Sequence, residues 1–302
     1  MLGTNYCQSH FIGHIAKHRY DVVPIATGKS EDSFYFCSHK CNTMKFLKSL
    51  FLLMSFFLFN NFDLSAQNRI KEHNNIGWYA YNGTFKLSEK FGLHTEYQWR
   101  REDYIANWQQ GLLRLGVNYN PNSKVQLRIG YAWAETFPYG ETPLNGMGKD
   151  FIEHRIFEMV TLQDKISIIN ISHRFMLEQR WVGRYSDASL DKEDEFPFLN
   201  RARYMVRAQI PLKGNAIQDK TPYAALYNEI FIGFGKNVGE NVFDQNRFGA
   251  LIGYKFNKNI QAEGGYLSQI VQLGREVDNK NVFQYNNGFI MSLILNFDVS
   301  GS

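Results

Sequence analysis

The sequence predicts an all-β protein, a transmembrane antiparallel β-barrel of about ten to twelve strands. Three observations lead to this prediction. Apolar and polar residues alternate with a period of two from residue 74 onward, and the alternating segments run for about ten to fourteen residues each. Short and long connections then follow one another in turn between these segments. Because strands place successive side chains on opposite faces, the pattern is typical of a wall with one apolar and one polar side.

An export signal precedes the predicted barrel. Lys45 stands before an apolar run that ends at Phe59, and Ala66 is a small residue at the expected cleavage point. A positive start, a short apolar run and a small residue are the three parts of a secretory signal peptide. We therefore expect a signal peptide at residues 44–66 and an outer-membrane barrel over residues 67–302. A signal anchor of a retained N-terminal domain and a buried core helix are the alternatives for this apolar run.

We expect the segment upstream of the signal peptide not to be part of the exported protein. Signal peptides are recognised at the emerging N-terminus, so we expect translation to start at Met44 and residues 1–43 to be a mis-annotated extension. All three cysteines, Cys7, Cys37 and Cys41, lie in this extension. The exported chain then has no thiol for catalysis, disulfides or metal binding, and we expect neither a metal nor a cofactor.

The alternating segments can be followed in order along the chain. In 125–133 the odd positions from Val125 to Trp133 are apolar or aromatic, whereas Arg128 stands among the even positions. Charged residues on both phases interrupt clean alternation in 151–162. The predicted segments are 76–87, 91–102, 107–119, 125–133, 151–162, 165–183, 200–210, 222–234, 247–256, 259–271 and 284–297.

The number of segments does not match the expected topology. Two termini on the periplasmic side require an even number of strands, and the direction of segment 76–87 does not fit. Either this segment is not a full crossing, which leaves ten strands, or a twelfth strand escapes the pattern. Tight turns are predicted at 88–90, 120–123, 163–164 and 257–259, with a longer one at 211–221. The links expected at the opposite rim are 103–106, 137–149, 184–198, 235–244 and 272–283.

Aromatic residues favour a membrane location for these strands. Trp99, Trp133 and Trp181 each lie on the apolar phase of a segment, near a link of the long-loop side. Tyr119 and Phe256 stand at the opposite ends of apolar faces. Membrane barrels carry aromatic girdles at both interfaces, so these five residues are the predicted girdle positions. The alternative is that they fill the core of a soluble β-protein.

The polar phase of the segments is rich in arginine and would face the lumen. Charges inside a small barrel must be paired, and the planar guanidinium group suits two-pronged pairing with carboxylates. Such a network either plugs the lumen or attracts an anionic solute or lipid head group. The predicted lumen charge network is Arg100, Arg114, Arg128, Arg174, Glu178, Arg180, Arg201, Arg203, Arg207, Glu229, Arg247 and Glu263.

The sequence indicates function only coarsely. A net charge of +4 over 302 residues gives no support to nucleic-acid binding. We expect a structural role or a narrow passage for small polar or anionic solutes, with outer-membrane lipid and the barrel-assembly machinery as partners. One alternative is a membrane-embedded lipid acyl hydrolase that would use His154 or His173, with Ser268 as a conceivable nucleophile. The other is a soluble periplasmic ligand-binding barrel.

Several short stretches carry a family resemblance. They are Leu177-Glu178-Gln179-Arg180-Trp181, Asn200-Arg201-x-Arg203-Tyr204, Asn228-Glu229, Gln245-Asn246-Arg247, Glu263-x-x-Tyr266 and the Ser65-Ala66-Gln67 junction. In these, and over nearly the whole exported chain, the sequence resembles a family of bacterial outer-membrane barrel proteins, frequent in Bacteroidota and catalogued only as a domain of unknown function. The resemblance implies the barrel fold and the outer membrane, and it implies no known activity.

Overall fold

The alternation with period two produces β-strands throughout the part of the chain that the structure describes. The computed structural model describes residues 69–239 and 241–301, so the predictions for residues 1–43 and 44–66 lie outside the described residues. The strands are β1 (Ile70–Lys86), β2 (Phe91–Glu102), β3 (Asn107–Asn122), β4 (Val125–Thr136), β5 (Phe151–Ile166), β6 (Ile169–Val182), β7 (Phe198–Pro211), β8 (Thr221–Phe234), β9 (Phe243–Lys255), β10 (Ile260–Val277) and β11 (Lys280–Asp298).

These strands close into one barrel, which confirms the predicted all-β barrel. Consecutive strands pair as antiparallel hairpins around the wall from β1 to β11. Within the described ranges, no helix is long and apolar enough to span a bilayer.

The two faces of the wall differ as the alternation predicts. On β3, the outward Leu113, Leu115 and Val117 are exposed to 40%, 47% and 45%. Leu112 and Arg114 point inward on the same strand and are 0% and 6% exposed. The wall therefore turns apolar side chains outward and encloses its charged ones, the reverse of an ordinary soluble protein.

The expectation of an even strand number is wrong, because the described barrel has eleven strands. β1 is a full strand of the wall with 17 residues, longer than the segment 76–87, and it pairs with β11 from Ile70↔Val282 to Lys86↔Asp298. This pair is parallel. An up-and-down barrel with an odd number of strands must contain one parallel pair, since its first and last strands then run in the same direction. We call the β1–β11 pair the seam.

The connections lie at two different rims. The long-loop rim carries the connections 103–106, 137–150, 183–197, 235–242 and 278–279, and the short-turn rim carries 87–90, 123–124, 167–168, 212–220 and 256–259.

Two connections differ from the prediction, because the strands extend beyond their alternating segments. The long link expected at 272–283 is instead the two-residue turn Asp278–Asn279, with φ angles of 51° and 57°. Asp and Asn tolerate this left-handed conformation, which two-residue hairpins of type I′ require. The turn expected at 163–164 falls at 167–168.

Gly288 allows the seam to close. It faces the lumen on β11, where a Cβ atom would collide with the backbone carbonyl oxygen of Ile76 on β1. We expect Gly288→Val to force the two strands apart and to lower the free energy of unfolding by about 2 kcal/mol. Samples are incubated at increasing temperatures before electrophoresis. The measurement is the incubation temperature at which the folded, faster-migrating band disappears.

The matched control for this substitution is Gly274→Val on β10. A Cβ atom at Gly274 would have its nearest neighbour at 3.7 Å, so the control side chain has room. Equal losses of stability in the two variants would contradict the role given to the seam.

Candidate functional site

The inward charges form one connected chain of ion pairs across five strands. Glu178 is completely buried and accepts from Arg201 Nε at 2.7 Å and from Arg203 Nη1 at 2.8 Å. Arg203 continues to Glu229 at 2.8 Å, and Arg174 binds the same carboxylate at 2.9 Å. Each carboxylate thus holds two guanidinium groups, which is the arrangement that makes buried charge tolerable.

The chain continues from Arg201 toward the long-loop rim. Arg201 Nη1 donates to Asp244 at 2.8 Å, and Arg180 approaches the same carboxylate at 3.5 Å. Arg180 also pairs with Glu153, which binds Arg155 through both oxygens at 2.7 Å. The network therefore runs without interruption from β5 to β9.

Some of the inward ion pairs, within this chain of ion pairs and outside it, cross the lumen instead of following the wall. Arg174 on β6 reaches Glu229 on β8, passing over β7. Arg207 on β7 binds Glu263 on β10 through both oxygens, at 3.2 and 2.5 Å, and so spans β8 and β9. Tyr223 adds a hydroxyl donor to Glu263 at 2.8 Å. Side chains that bridge non-adjacent strands in this way fill the middle of the barrel.

A second, smaller group lies on β2 and β3. Arg114 donates to Glu96 at 2.6 Å, and His94 contacts the same carboxylate at 3.2 Å. Phe157 from β5 packs beside Arg114, with the guanidinium carbon 5.4 Å from the ring centroid. All the residues of the predicted lumen network point inward, and most of them meet in these two groups.

Glu153, Arg155 and Asp244 were absent from the predicted network. Residues 153 to 159 alternate after all, with Glu153, Arg155 and the apolar Phe157 pointing inward. The outward phase of β5 hides this pattern because it carries the polar residue His154. Because β5 carries polar residues on its outward face and apolar residues on its inward face, its two faces differ little in polarity. The alternation in the sequence is therefore hard to recognise.

Arg100, Arg128 and Arg247 form no ion pair with any described residue. Their partners are neutral amide oxygens. Arg128 donates to Asn118 at 2.6 Å. Arg100 donates to the side-chain oxygens of Gln98 and Gln110 at 2.5 to 2.9 Å, and Arg247 donates to that of Gln245 at 2.8 and 3.1 Å.

Arg100 and Arg247 also share an aromatic partner. Their guanidinium carbons lie 3.9 and 4.9 Å from the ring centroid of the inward-facing Trp78 on β1. The ring is buried, with 3% of its surface exposed. A cation over an aromatic face is attracted to it, but the ring does not neutralise the charge.

These two arginines line a cavity of about 410 Å³ at the long-loop rim, which we call the cup. Seven arginines line the cup, but only two carboxylates do, Glu153 and Asp244. The arginines are Arg100, Arg155, Arg180, Arg184, Arg201, Arg247 and Arg275. The cup is therefore strongly positive, and low-dielectric walls strengthen the field inside such a cleft.

The β4–β5 loop, residues 137–150, forms part of the wall of the cup. Its Thr142 accepts through the backbone oxygen from Gln284 Nε2 at 2.8 Å, and Tyr139 accepts from Asn286 Nδ2 at 3.1 Å. Burial raises the pKa of the Tyr139 phenol, so the hydroxyl remains protonated. The loop thus crosses to the opposite wall and is held there by hydrogen bonds to β11.

The predicted girdle residues all lie on the outward face. Trp99, Trp133 and Trp181 stand near the ends of β2, β4 and β6 at the long-loop rim. Tyr119 and Phe256 lie at the short-turn rim, where Tyr119 packs against the aromatic ring of the first residue of β2 at 5.1 Å.

Trp108 was missing from the predicted girdle. It stacks edge-on against Trp99 at 6.0 Å and lies at the start of β3, outside the part of the segment with the clearest alternation. Four of the five tryptophans therefore lie on one outward band near the long-loop rim.

The residues proposed for a hydrolase are not brought together. His154 Nδ1 lies 2.5 Å from the hydroxyl of Tyr131, and His173 Nδ1 lies 2.8 Å from that of Tyr204, all on the outward face. Ser268 is on β10, with β7, β8 and β9 between it and β6. Among residues 69–239 and 241–301, no group of three or more His, Cys, Asp or Glu side chains could hold a metal ion.

Comparison with known proteins gives one match. A family model described as a protein of unknown function (DUF2490) matches residues 75–280, from β1 to the first residue of β11. Neither the curated proteins nor the solved structures contain a match to this chain.

Proposed function

The chain belongs to the DUF2490 family of proteins of unknown function, and we propose that it is an outer-membrane barrel with a closed lumen and a charged cup at one rim. The family assignment agrees with the resemblance found in the sequence. The proposal adds a location and a role: the protein presents the cup at the cell surface and does not serve as an open pore.

The observation that carries the membrane part of the proposal is the outward face of the wall. Large apolar side chains on it are exposed strand after strand, including Ile129 at 56%, Leu226 at 55% and Ile252 at 61%. Soluble monomers rarely expose a continuous apolar surface of this extent. Aromatic residues border this surface at both rims, and the stretch from Phe91 to Trp99 covers roughly 20 Å along the barrel axis at ordinary strand rise and tilt. This height is close to the apolar band of outer-membrane barrels, about 25 Å.

The closed lumen distinguishes this proposal from a solute passage. Buried ion pairs cross the middle of the barrel, and clusters of inward apolar side chains occupy further parts of the lumen. The cluster of Tyr223, Ala225 and Leu251 also receives Ile217 from the connection 212–220 at the short-turn rim. In order to pass, a solute would have to break several charge-assisted hydrogen bonds, which are stronger than hydrogen bonds between neutral groups.

Cell fractionation tests the location. The full chain, produced in a Gram-negative host, should stay with the outer membrane through an alkaline carbonate wash and should dissolve only with detergent. Its gel mobility should differ between unheated and boiled samples, as folded barrels resist the detergent of the gel. Release into the soluble fraction without detergent would instead support the periplasmic ligand-binding barrel and refute the membrane proposal.

Planar-bilayer recording tests the closed lumen. We expect insertion of the purified barrel to produce no stepwise current, because the cross-lumen ion pairs leave no continuous water path. An open porin reconstituted in the same bilayer provides the positive control. Regular current steps from this protein, with a preference for anions, would favour the narrow passage over the closed lumen.

A further inference from the structure

The floor of the cup carries two arginines, Arg100 and Arg247, that form no ion pair with the described carboxylates. Glu229 lies opposite Arg247 on β8, but its ion pairs go to Arg174 and Arg203. Arg100 and Arg247 lie over the same Trp78 ring, so two like charges are held close together with only glutamine oxygens as acceptors. A neutral amide oxygen replaces part of the hydration of a guanidinium group but supplies no counter-charge. This arrangement costs stability, which is typical of sites arranged for a ligand.

The two carboxylates of the cup cannot supply the missing counter-charge. Glu153 is already bound by Arg155 and Arg180, and Asp244 is already bound by Arg201. Arg275, another arginine of the cup, donates through Nη2 to a backbone oxygen of the β4–β5 loop at 2.9 Å. Its Nε is buried and has no hydrogen-bond partner in the described part of the chain. The cup thus retains one unused donor as well as arginines without an ion-pair partner.

We propose that the cup binds a small organic anion, with a carboxylate or phosphate group held by Arg100 and Arg247. Guanidinium forks match the oxygens of both groups, which is the shared chemistry that the site would recognise. A volume of about 410 Å³ is larger than an inorganic anion needs and falls within the range of small-molecule sites. Leu144 and Met147 of the β4–β5 loop give the body of the molecule an apolar wall.

This inference deepens the proposed function by naming a ligand class for the cup, but its test does not depend on membrane location. The purified full chain, folded in an uncharged detergent, is titrated with citrate and with glycerol 3-phosphate by calorimetry, and glycerol serves as the uncharged control. We expect at least one anion to bind and glycerol not to bind. Failure of both anions to bind would overturn the inference, whereas the fractionation experiment separately decides the location.

Substitutions identify the site. Arg100→Gln and Arg247→Gln should each weaken anion binding by about tenfold or more, because each removes a charge-assisted hydrogen bond. The matched control is Arg128→Gln, which removes another arginine without a described carboxylate partner, outside the residues that line the cup. It should leave the affinity within about twofold. An equal loss in the control would show only general attraction to positive charge and would contradict the site.

Thermal unfolding distinguishes a loss of anion binding from a defect in folding. Without an anion, Arg247→Gln should unfold at a midpoint no lower than that of the unsubstituted protein, since a repelling charge has been removed. The anion should raise the midpoint of the unsubstituted protein and leave that of the variant unchanged, because ligands stabilise only the state that binds them. An equal rise in both proteins would overturn the assignment of the anion to Arg247.

Discussion

Glu178→Gln is expected to lower the free energy of unfolding by about 3 kcal/mol or more, a large fraction of the stability of a single domain. Glu178 is 0% exposed, and its carboxylate holds Arg201 and Arg203 at 2.7 and 2.8 Å. Glutamine has nearly the same shape but no charge, so both guanidinium groups would keep a buried charge with a weaker acceptor. Removing one member of a buried ion-pair network costs far more than the pair contributes in net terms.

The measurement is a guanidinium chloride titration of the barrel folded into lipid vesicles, followed by tryptophan fluorescence. Glu89→Gln is the matched control, because Glu89 pairs with Lys86 at 2.9 Å but its side chain is 89% exposed. Solvent screens such a pair, and we expect the control to change the unfolding free energy by less than about 0.5 kcal/mol. If Glu178→Gln lowered the free energy of unfolding by less than about 1 kcal/mol, water or rearranged side chains would have to compensate the two guanidinium charges. That result would contradict the closed lumen.

Leu115→Arg is expected to lower the free energy of unfolding in lipid by about 2–4 kcal/mol. Leu115 lies outward near the middle of β3, opposite Thr95 and Tyr131, and is 47% exposed. If this face contacts lipid, the substitution moves a charge into hydrocarbon. If it contacts water, the same substitution replaces an exposed apolar side chain with a polar one and changes stability by less than about 0.5 kcal/mol.

The matched control is Ile105→Arg in the connection 103–106, where the side chain is 62% exposed and lies beyond the end of the wall. Both variants exchange an exposed aliphatic side chain for arginine, so the difference between them reports the surroundings of the wall. The same vesicle titration measures both. Equal and small effects would contradict the proposed membrane location directly.

The sequence predicts the wall of this barrel well because the wall depends on a local rule. Alternation determines which side of a strand each residue occupies, so Arg201, Arg203 and Glu229 could be assigned to one face before any contact was known. The partners within that face could not be predicted. Arg207 meets Glu263 across the lumen, and this pairing depends on strand tilt and side-chain reach, which no local pattern contains.

The cup is the part of the site that sequence reasoning missed. Its residues Arg100 and Arg247 lie over Trp78, whose neighbour Tyr79 is also aromatic, so the contrast between the two phases of β1 is weak there. Its wall includes the β4–β5 loop, which is held by hydrogen bonds to residues more than a hundred positions away, such as Gln284. Loops that fold back on distant strands leave no periodic signal.

The seam has a consequence for how the barrel forms. Every other strand pair joins consecutive strands and can form as a hairpin, but the seam joins residues such as Asn74 and Asn286, which are 212 positions apart. Closing so long a loop carries the largest entropy cost in the wall, so this pair is the slowest contact to form. Before it forms, the growing sheet has two open edges with unpaired backbone groups, which invite pairing with other chains. The complete chain is therefore required before any edge can be protected, and a barrel truncated before β11 would lack the only parallel partner of β1 among the described strands.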